Sequence, residues 1–366
     1  MDTIPFNYLK PLYDAHKTEY QEAALRVLDS GWYVLGKEVE AFEKEFAAFT
    51  GSQYCVGLNS GLDALILALK ALGIGVGDEV IVPANTYIAT VLAITANSAT
   101  PVFVDSDEYY CINSKFIEKA ITPKTRCILP VHLYGQSSNL EVIISVARKH
   151  NLFVVEDCAQ SHGAAWNGKH TGTFGDIGCF SFFPTKNVGA FGDAGAVVTD
   201  NAELADKIRM LRNYGSKKKY YNEIAGINSR LDEMQAALLR VRLKYVKEII
   251  DTRSIVAQMY LKLLRNDKII LPKIRDGASH TWHLFVIECT QRDALQLFLK
   301  ERGIETQIHY PVPSYLSEVY SYMGLTRDSF PRASAQAENI LSLPLYYRME
   351  EEKADYVIDV LNNWGA

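Results

Sequence analysis

Between about residues 50 and 200, short β-rich runs alternate with longer helical ones, and this alternation limits the possible fold more than any other feature of the chain. Strands are expected at 54–58, 79–83, 101–104, 127–132, 153–156, 179–182 and 195–199, with helices at 62–72, 88–96 and 140–149. The pattern predicts an α/β core: a mostly parallel sheet with helices on both faces. Past residue 200 the pattern changes. Leu231, Met234, Leu238, Val241, Tyr245, Ile249 and Ile250 recur at helical spacing and predict one long helix over 229–264. A strand at 283–288, a helix at 292–302, a strand at 306–310 and helices at 334–341 and 350–363 complete a smaller α+β C-terminal domain. The expected boundary lies near 250, giving a large domain over 1–250 and a small one over 251–366.

A chain of 366 residues, 48% hydrophobic and 22% charged, buries a real core and contains no apolar run of membrane-spanning length. Its first ten residues lack the basic start and apolar stretch of a secretory signal, so a cytoplasmic location is expected. Six cysteines are scattered without CxxC pairs, which favours buried free thiols over disulfides or a metal site. A net charge of -5 leaves no electrostatic footprint for nucleic acid, and Lys217-Lys218-Lys219 reads as a solvated loop.

In open α/β sheets ligands bind beyond the carboxyl ends of the strands, and five such ends are rich in polar residues and glycine. Asn59-Ser60-Gly61-Leu62 turns a strand into a helix whose free N–H groups suit a phosphate, although a serine cap serves structure equally. Asn85-Thr86-Tyr87 offers a ring that stacks on a planar ligand or simply packs. Val155-Glu156-Asp157-Cys158-Ala159-Gln160-Ser161-His162 delivers an acid at the end of an apolar strand, as an ion-pair partner for a protonated ring or as a structural acid. Ser181-Phe182-Phe183-Pro184-Thr185-Lys186-Asn187 sets one lysine among aromatic and proline residues, where low dielectric frees the amine to attack a carbonyl. Asn228-Ser229-Arg230-Leu231-Asp232-Glu233 opens the long helix, with Ser229 and Asp232 as ordinary cap residues.

Taken in order, these segments resemble the sugar-nucleotide aminotransferases of the DegT family, fold type I enzymes that use pyridoxal phosphate (PLP). The resemblance covers essentially the whole chain. It implies that Lys186 carries the coenzyme, Asp157 pairs with the pyridine nitrogen, Tyr87 stacks on the ring and Gln160 sits near the ring hydroxyl. Ser181 and the backbone of Ser60, Gly61 and Leu62 would hold the phosphate. Leu62 departs from the small hydroxyl residue of many relatives. Asn228 would reach the phosphate of the other subunit, which makes a homodimer with shared active sites the expected assembly.

The resemblance also implies glutamate as amino donor and a TDP-linked keto-6-deoxyhexose as acceptor. The run after Lys186, Asn187-Val188-Gly189-Ala190-Phe191-Gly192-Asp193, looks like that of members aminating C3 rather than C4. A lysine at 186 also separates this chain from a branch in which histidine replaces it and the sugar is dehydrated. His162 is a candidate to orient or exchange protons near the ring. His309 and Tyr310 are substrate-side candidates with an equally open packing reading, and His283 reads as structural. An NAD-dependent sugar oxidoreductase is the competing class, but no GxGxxG follows an early strand.

Overall fold

A computed structural model describes residues 3–365 of the chain. Its central sheet comprises β1 (Tyr54–Leu58), β2 (Glu79–Pro83), β3 (Thr100–Val104), β4 (Thr125–Ile128), β5 (Phe153–Asp157), β6 (Ile177–Ser181) and β7 (Gly195–Thr199). The spatial order is β1-β7-β6-β5-β4-β2-β3. The pairs β2–β3, β2–β4, β4–β5 and β5–β6 are parallel, and β7 runs antiparallel to both β1 and β6. β4 stops at Ile128 because Pro130 has no N–H for the ladder. Beyond it the ladder continues only as Leu129 N to Ile81 O at 2.7 Å and a lone bridge at Val131–Asp157, made by Asp157 N to Pro130 O at 2.9 Å and His132 N to Asp157 O at 3.0 Å.

Both faces of the sheet are covered, which is why its strands are mostly apolar between their ends. On one face Leu58, Val82, Leu129 and Val155 pack with Leu65, Leu69 and Val91 from the helices Gly61–Ala71 and Ile88–Ala96. On the other, Phe42 and Phe46 of the helix Lys37–Thr50 meet Phe180, Phe182, Ala196 and Val198. A separate core gathers Val256, Tyr260, Phe285, Leu295, Leu341 and Leu361 with Ile4, whose N–H donates to Gly303 O at 2.8 Å.

Three expectations for the C-terminal half are corrected. The single helix over 229–264 is two, Glu233–Lys244 and Val246–Leu263, broken at Tyr245. There φ is -107° and ψ 6°, while the ring stacks on His16 at 3.5 Å and the hydroxyl bonds Glu19. A contact from far along the chain thus overrides local periodicity. The expected strand at 306–310 is an extended loop joined to the sheet only at Gln307–Ser342. The strand that pairs with β8 (Phe285–Glu288) is instead β9 (Ile340–Leu343), where a helix over 334–341 was expected. That helix runs Pro331–Asn339, and the fully buried Ile340 and Leu341 gain more by pairing than by another helical turn.

Candidate functional site

β5 ends in two acids that point to opposite sides of the sheet. Glu156 accepts N–H groups from Gly172, Phe174 and Gly175, each at 2.8 Å, and pairs with His132 Nε2 at 2.9 Å. Burial opposes its ionisation, but His132 and the backbone donors hold it below the ordinary carboxylate range. His132, Glu156 and Cys158 place donor atoms within 4.8 Å of one another, a spacing compatible with a metal. The glutamate's oxygens are already filled by N–H donors, His132 Nδ1 accepts Ser138 N at 3.0 Å, and burial pushes the Cys158 thiol up. The trio is chemically suited to bracing the strand rather than to ligation.

Asp157 faces the other way. Thr90 Oγ1 donates to its Oδ2 at 2.8 Å and Ala159 N to its Oδ1 at 3.1 Å, and no arginine or lysine forms an ion pair with it among the described residues. Burial pushes its pKa up, against the pull of those donors and of Lys186. A buried carboxylate in this position is stabilised by a protonated ring nitrogen placed against it.

Lys186 lies in the loop between β6 and β7. Phe182 N bonds Ala194 O at 2.8 Å, Lys186 N bonds Phe183 O at 2.9 Å, and a Cβ at Gly189 would stand 2.3 Å from Pro184 O. The turn is therefore tight, and burial of the amine end lowers the lysine's pKa to about 8, with Asp157 opposing. The amine thus has a sizeable neutral, nucleophilic fraction near neutral pH.

Around these two groups the structure gathers several of the other expected residues. Gln160 Oε1 accepts Tyr134 N at 2.7 Å, and its Nε2 donates to the Tyr310 hydroxyl at 3.1 Å. Tyr310 in turn faces Tyr87, ring centroids 5.1 Å apart, while Tyr87 keeps 52% of its surface exposed. His309 Nδ1 meets Ser342 Oγ at 2.8 Å, its carbonyl accepts the Tyr134 hydroxyl, and burial lowers its pKa to about 4.

Ser60 caps the helix Gly61–Ala71, accepting Asp63 N at 3.1 Å. A Cβ at Gly61 would lie 2.5 Å from Ser181 Cβ, and one at Gly195 would lie 2.3 Å from Ser60 O. Glycine at both positions draws the helix N-terminus onto Ser181, making a small corner lined with N–H groups and hydroxyls, suited to an anion. Leu62 packs its side chain into the core, leaving its backbone as the only contribution to that corner.

Asn228 is exposed and bridges Asn213 through its backbone. The expected cap residues do not cap. Ser229 accepts Asn59 N at 3.2 Å and donates to Asp63 at 2.7 Å, and Asp232 makes no side-chain cap bond. The neighbouring Glu233 instead accepts Gly36, Glu38 and Val39 N–H at 2.8–2.9 Å, capping a different helix.

His162 is buried between Phe180 and Phe182, and neither ring nitrogen has a partner among the described residues. Burial keeps it neutral. Two contacts escaped the sequence. Thr90 reaches Asp157 one helical turn after Thr86, a spacing of four that hints at a polar pair. His283, read as structural, puts Nε2 3.4 Å from Lys186 Nζ, and nothing in Trp282-His283-Leu284 signals this.

A doubly covered α/β sheet with a lysine amine, a lone buried carboxylate and an anion corner at its strand ends is the architecture of the PLP-dependent aminotransferases. The chain belongs to the DegT/DnrJ/EryC1/StrS aminotransferase family, whose model matches residues 14–362. It is 48% identical over 363 residues to a dTDP-3-amino-3,6-dideoxy-alpha-D-galactopyranose transaminase of Aneurinibacillus thermoaerophilus, covering 99% of both chains. It is equally identical over 364 residues to a dTDP-3-amino-3,4,6-trideoxy-alpha-D-glucose transaminase of Streptomyces venezuelae, covering 99% of this chain and 96% of the relative. Among solved structures, S. venezuelae DesV in complex with a ketimine intermediate superposes with a TM-score of 0.98 at 48% identity, covering 100% and 99% of the two chains. NtdA from Bacillus subtilis, with bound cofactor PMP, superposes at 0.91 with 34% identity, covering 99% and 85%. No helix among the described residues is long and apolar enough to cross a membrane.

Proposed function

We propose that this enzyme transfers the amino group of glutamate to C3 of a TDP-linked 3-keto-6-deoxyhexose, with pyridoxal phosphate as coenzyme. The observation that carries the reading is the pairing of an amine of lowered pKa, Lys186, with a buried carboxylate lacking an ion-pair partner, Asp157, at neighbouring strand ends. Both 48%-identical relatives bear names that place the amino group at position 3, which supports the regiochemistry.

In this reading Asp157 holds the coenzyme's ring nitrogen protonated, Tyr87 covers the ring face and Gln160 stands by the ring hydroxyl. Ser181 and the backbone of Ser60, Gly61 and Leu62 take the phosphate. The bound coenzyme supplies an electron sink for the charge that develops at the donor's α-carbon. Lys186 Nζ, once free, moves the proton from that carbon and later returns one on the sugar side. His162 orients groups near the ring, and His309 and Tyr310 border the sugar nucleotide.

The same proposal includes a division of the chain near residue 250 and a homodimer in which Asn228 reaches the partner's phosphate. Support for the dimer comes from exposed Tyr33, Phe191 and Tyr214, whose segments all bond to the stretch from Ile227 to Gln235.

The test is an assay of 3-keto and 4-keto TDP sugars with glutamate. Amination of the 3-keto sugar alone is expected, and turnover restricted to the 4-keto sugar would overturn the regiochemistry. Loss of the protein's visible absorption on adding glutamate tests the coenzyme. A protein that stays colourless with added PLP refutes that part.

A further inference from the structure

Three histidines, His162, His283 and His309, surround the Lys186 amine, and burial lowers the pKa of each, so all three are neutral around neutral pH. Among the described residues only His283 hydrogen-bonds the amine, Nε2 to Nζ, at 3.4 Å. Its other nitrogen, Nδ1, is buried with no partner among the described residues. An orphaned buried N–H is costlier and rarer than an under-used acceptor, so the ring's proton belongs on Nε2 and Nδ1 is bare. A ring in that tautomer points a donor at Nζ. It donates to the lone pair of a neutral amine and opposes an ammonium, which has only donors to offer.

The backbone that carries the ring is also held firmly. Trp282, just before it, sits in the left-handed region at φ 50°, which a bulky residue adopts only when its surroundings enforce it. Arg253 is one of the groups that brace this segment. It is buried among the described residues without a carboxylate partner, and its Nη1 donates to the carbonyls of Trp282 at 3.2 Å, His283 at 3.1 Å and Leu345 at 3.1 Å. From the other side Asn187 Nδ2 grips Thr281 O at 2.9 Å, tying the lysine's own loop to the histidine's segment.

We infer that His283 is a positioning residue for Lys186: its ring, carried on a backbone braced by Arg253 and bearing its proton on Nε2, receives the amine whenever the amine is free and keeps it unprotonated. The inference deepens the proposed role of Lys186 and rests on it. The other charged or titratable groups facing this pair are Asp157, which favours the ammonium on Lys186, and Arg253, His309 and His162, which oppose a charge on His283.

The test uses the full chain stripped of coenzyme and labelled with ¹⁵N-histidine. The signal lost in His283→Gln identifies His283, and in the wild type it should report a proton on Nε2 and a bare Nδ1. The pH dependence of covalent capture of added PLP gives a second readout. Its wild-type midpoint is expected at about 8. In His283→Gln the amide can turn its carbonyl to the ammonium, and the midpoint should rise by about one pH unit. Arg253→Lys, whose shorter side chain ends before the position of Nη1 and so reaches the three carbonyls less well, should move the midpoint in the same direction by less.

A wild-type His283 protonated on Nδ1, or charged near pH 7, overturns the inference without any variant having to fold. So does an unmoved midpoint in a folded His283→Gln protein. Borohydride trapping separates the levels: label on Lys186 with an unmoved midpoint sinks only this inference, whereas label on another lysine sinks the underlying reading as well.

Discussion

Thr90 donates its hydroxyl to Asp157 at 2.8 Å while Thr86 meets Thr90 at 2.8 Å, so a polar helix edge orients the carboxylate that stands at the end of β5. Under the proposed function Asp157→Asn removes the charge that would pair with a protonated ring nitrogen, and breaking such a buried pair costs about 3–5 kcal/mol. Coenzyme affinity should fall by two to three orders of magnitude. Thr90→Val removes one bond to a charged group, about 1.5–3 kcal/mol, and should weaken binding roughly tenfold to a hundredfold. Equilibrium titration with PLP measures both, and a Thr90→Val protein that binds as tightly as the wild type would deny Thr90 this role.

The lowered pKa of Lys186 has a definite sign in its consequences. Burial disfavours the ammonium, so the neutral amine gains population as pH rises through about 8 instead of the ordinary 10.5. Covalent capture of the coenzyme by the stripped enzyme should therefore climb between about pH 7 and 9 and level off above. A rise that begins only near the ordinary lysine value would mean the amine is solvated.

Gly61→Ala inserts a methyl 2.5 Å from Ser181 Cβ, and the helix N-terminus must back away. Overpacking of this kind costs about 1–3 kcal/mol, and the shift opens the anion corner. The expected result is a modest drop in melting temperature and a larger loss in PLP affinity than in affinity for pyridoxal lacking the phosphate. Equal losses for the two ligands would place the phosphate elsewhere.

Glu156→Gln should destabilise the fold by about 2–4 kcal/mol, since it leaves three backbone donors and His132 facing a neutral amide. In the wild type Glu156 ionises more readily folded than unfolded. Its contribution is therefore complete above the ordinary value of 4.5 and is lost as pH falls below it, through the folded value. Denaturant melts from pH 7 down to about pH 2.5 should show wild type and variant running parallel to about the ordinary carboxylate value and converging only below it, and curves that stay parallel to the acid end would contradict the pairing.

Much of the site was legible because it sits where strands end, and strand ends are local events. Ser60, Tyr87, Asp157 and Ser181 each lie at or just past the end of an apolar run, so residue type and position flag them as candidates, and the family resemblance supplies the roles expected of them. The helix break at Tyr245 and the strand Ile340–Leu343 were not legible: His16 and Glu19 reach Tyr245 across more than two hundred residues, and β9 forms only because β8 is present to pair with it. The same limit hid His283, whose partner Lys186 is 97 residues away.

The sequence by itself determined the α/β alternation, the polar strand ends and the single lysine set among apolar neighbours, because periodicity, turns and residue chemistry are properties of adjacent positions. Only the tertiary structure decided which groups touch that lysine, that Asp157 has no ion-pair partner among the described residues and that Glu233 caps a helix two hundred residues upstream. Burial and hydrogen-bond satisfaction belong to the packed whole, and no local stretch of chain carries them.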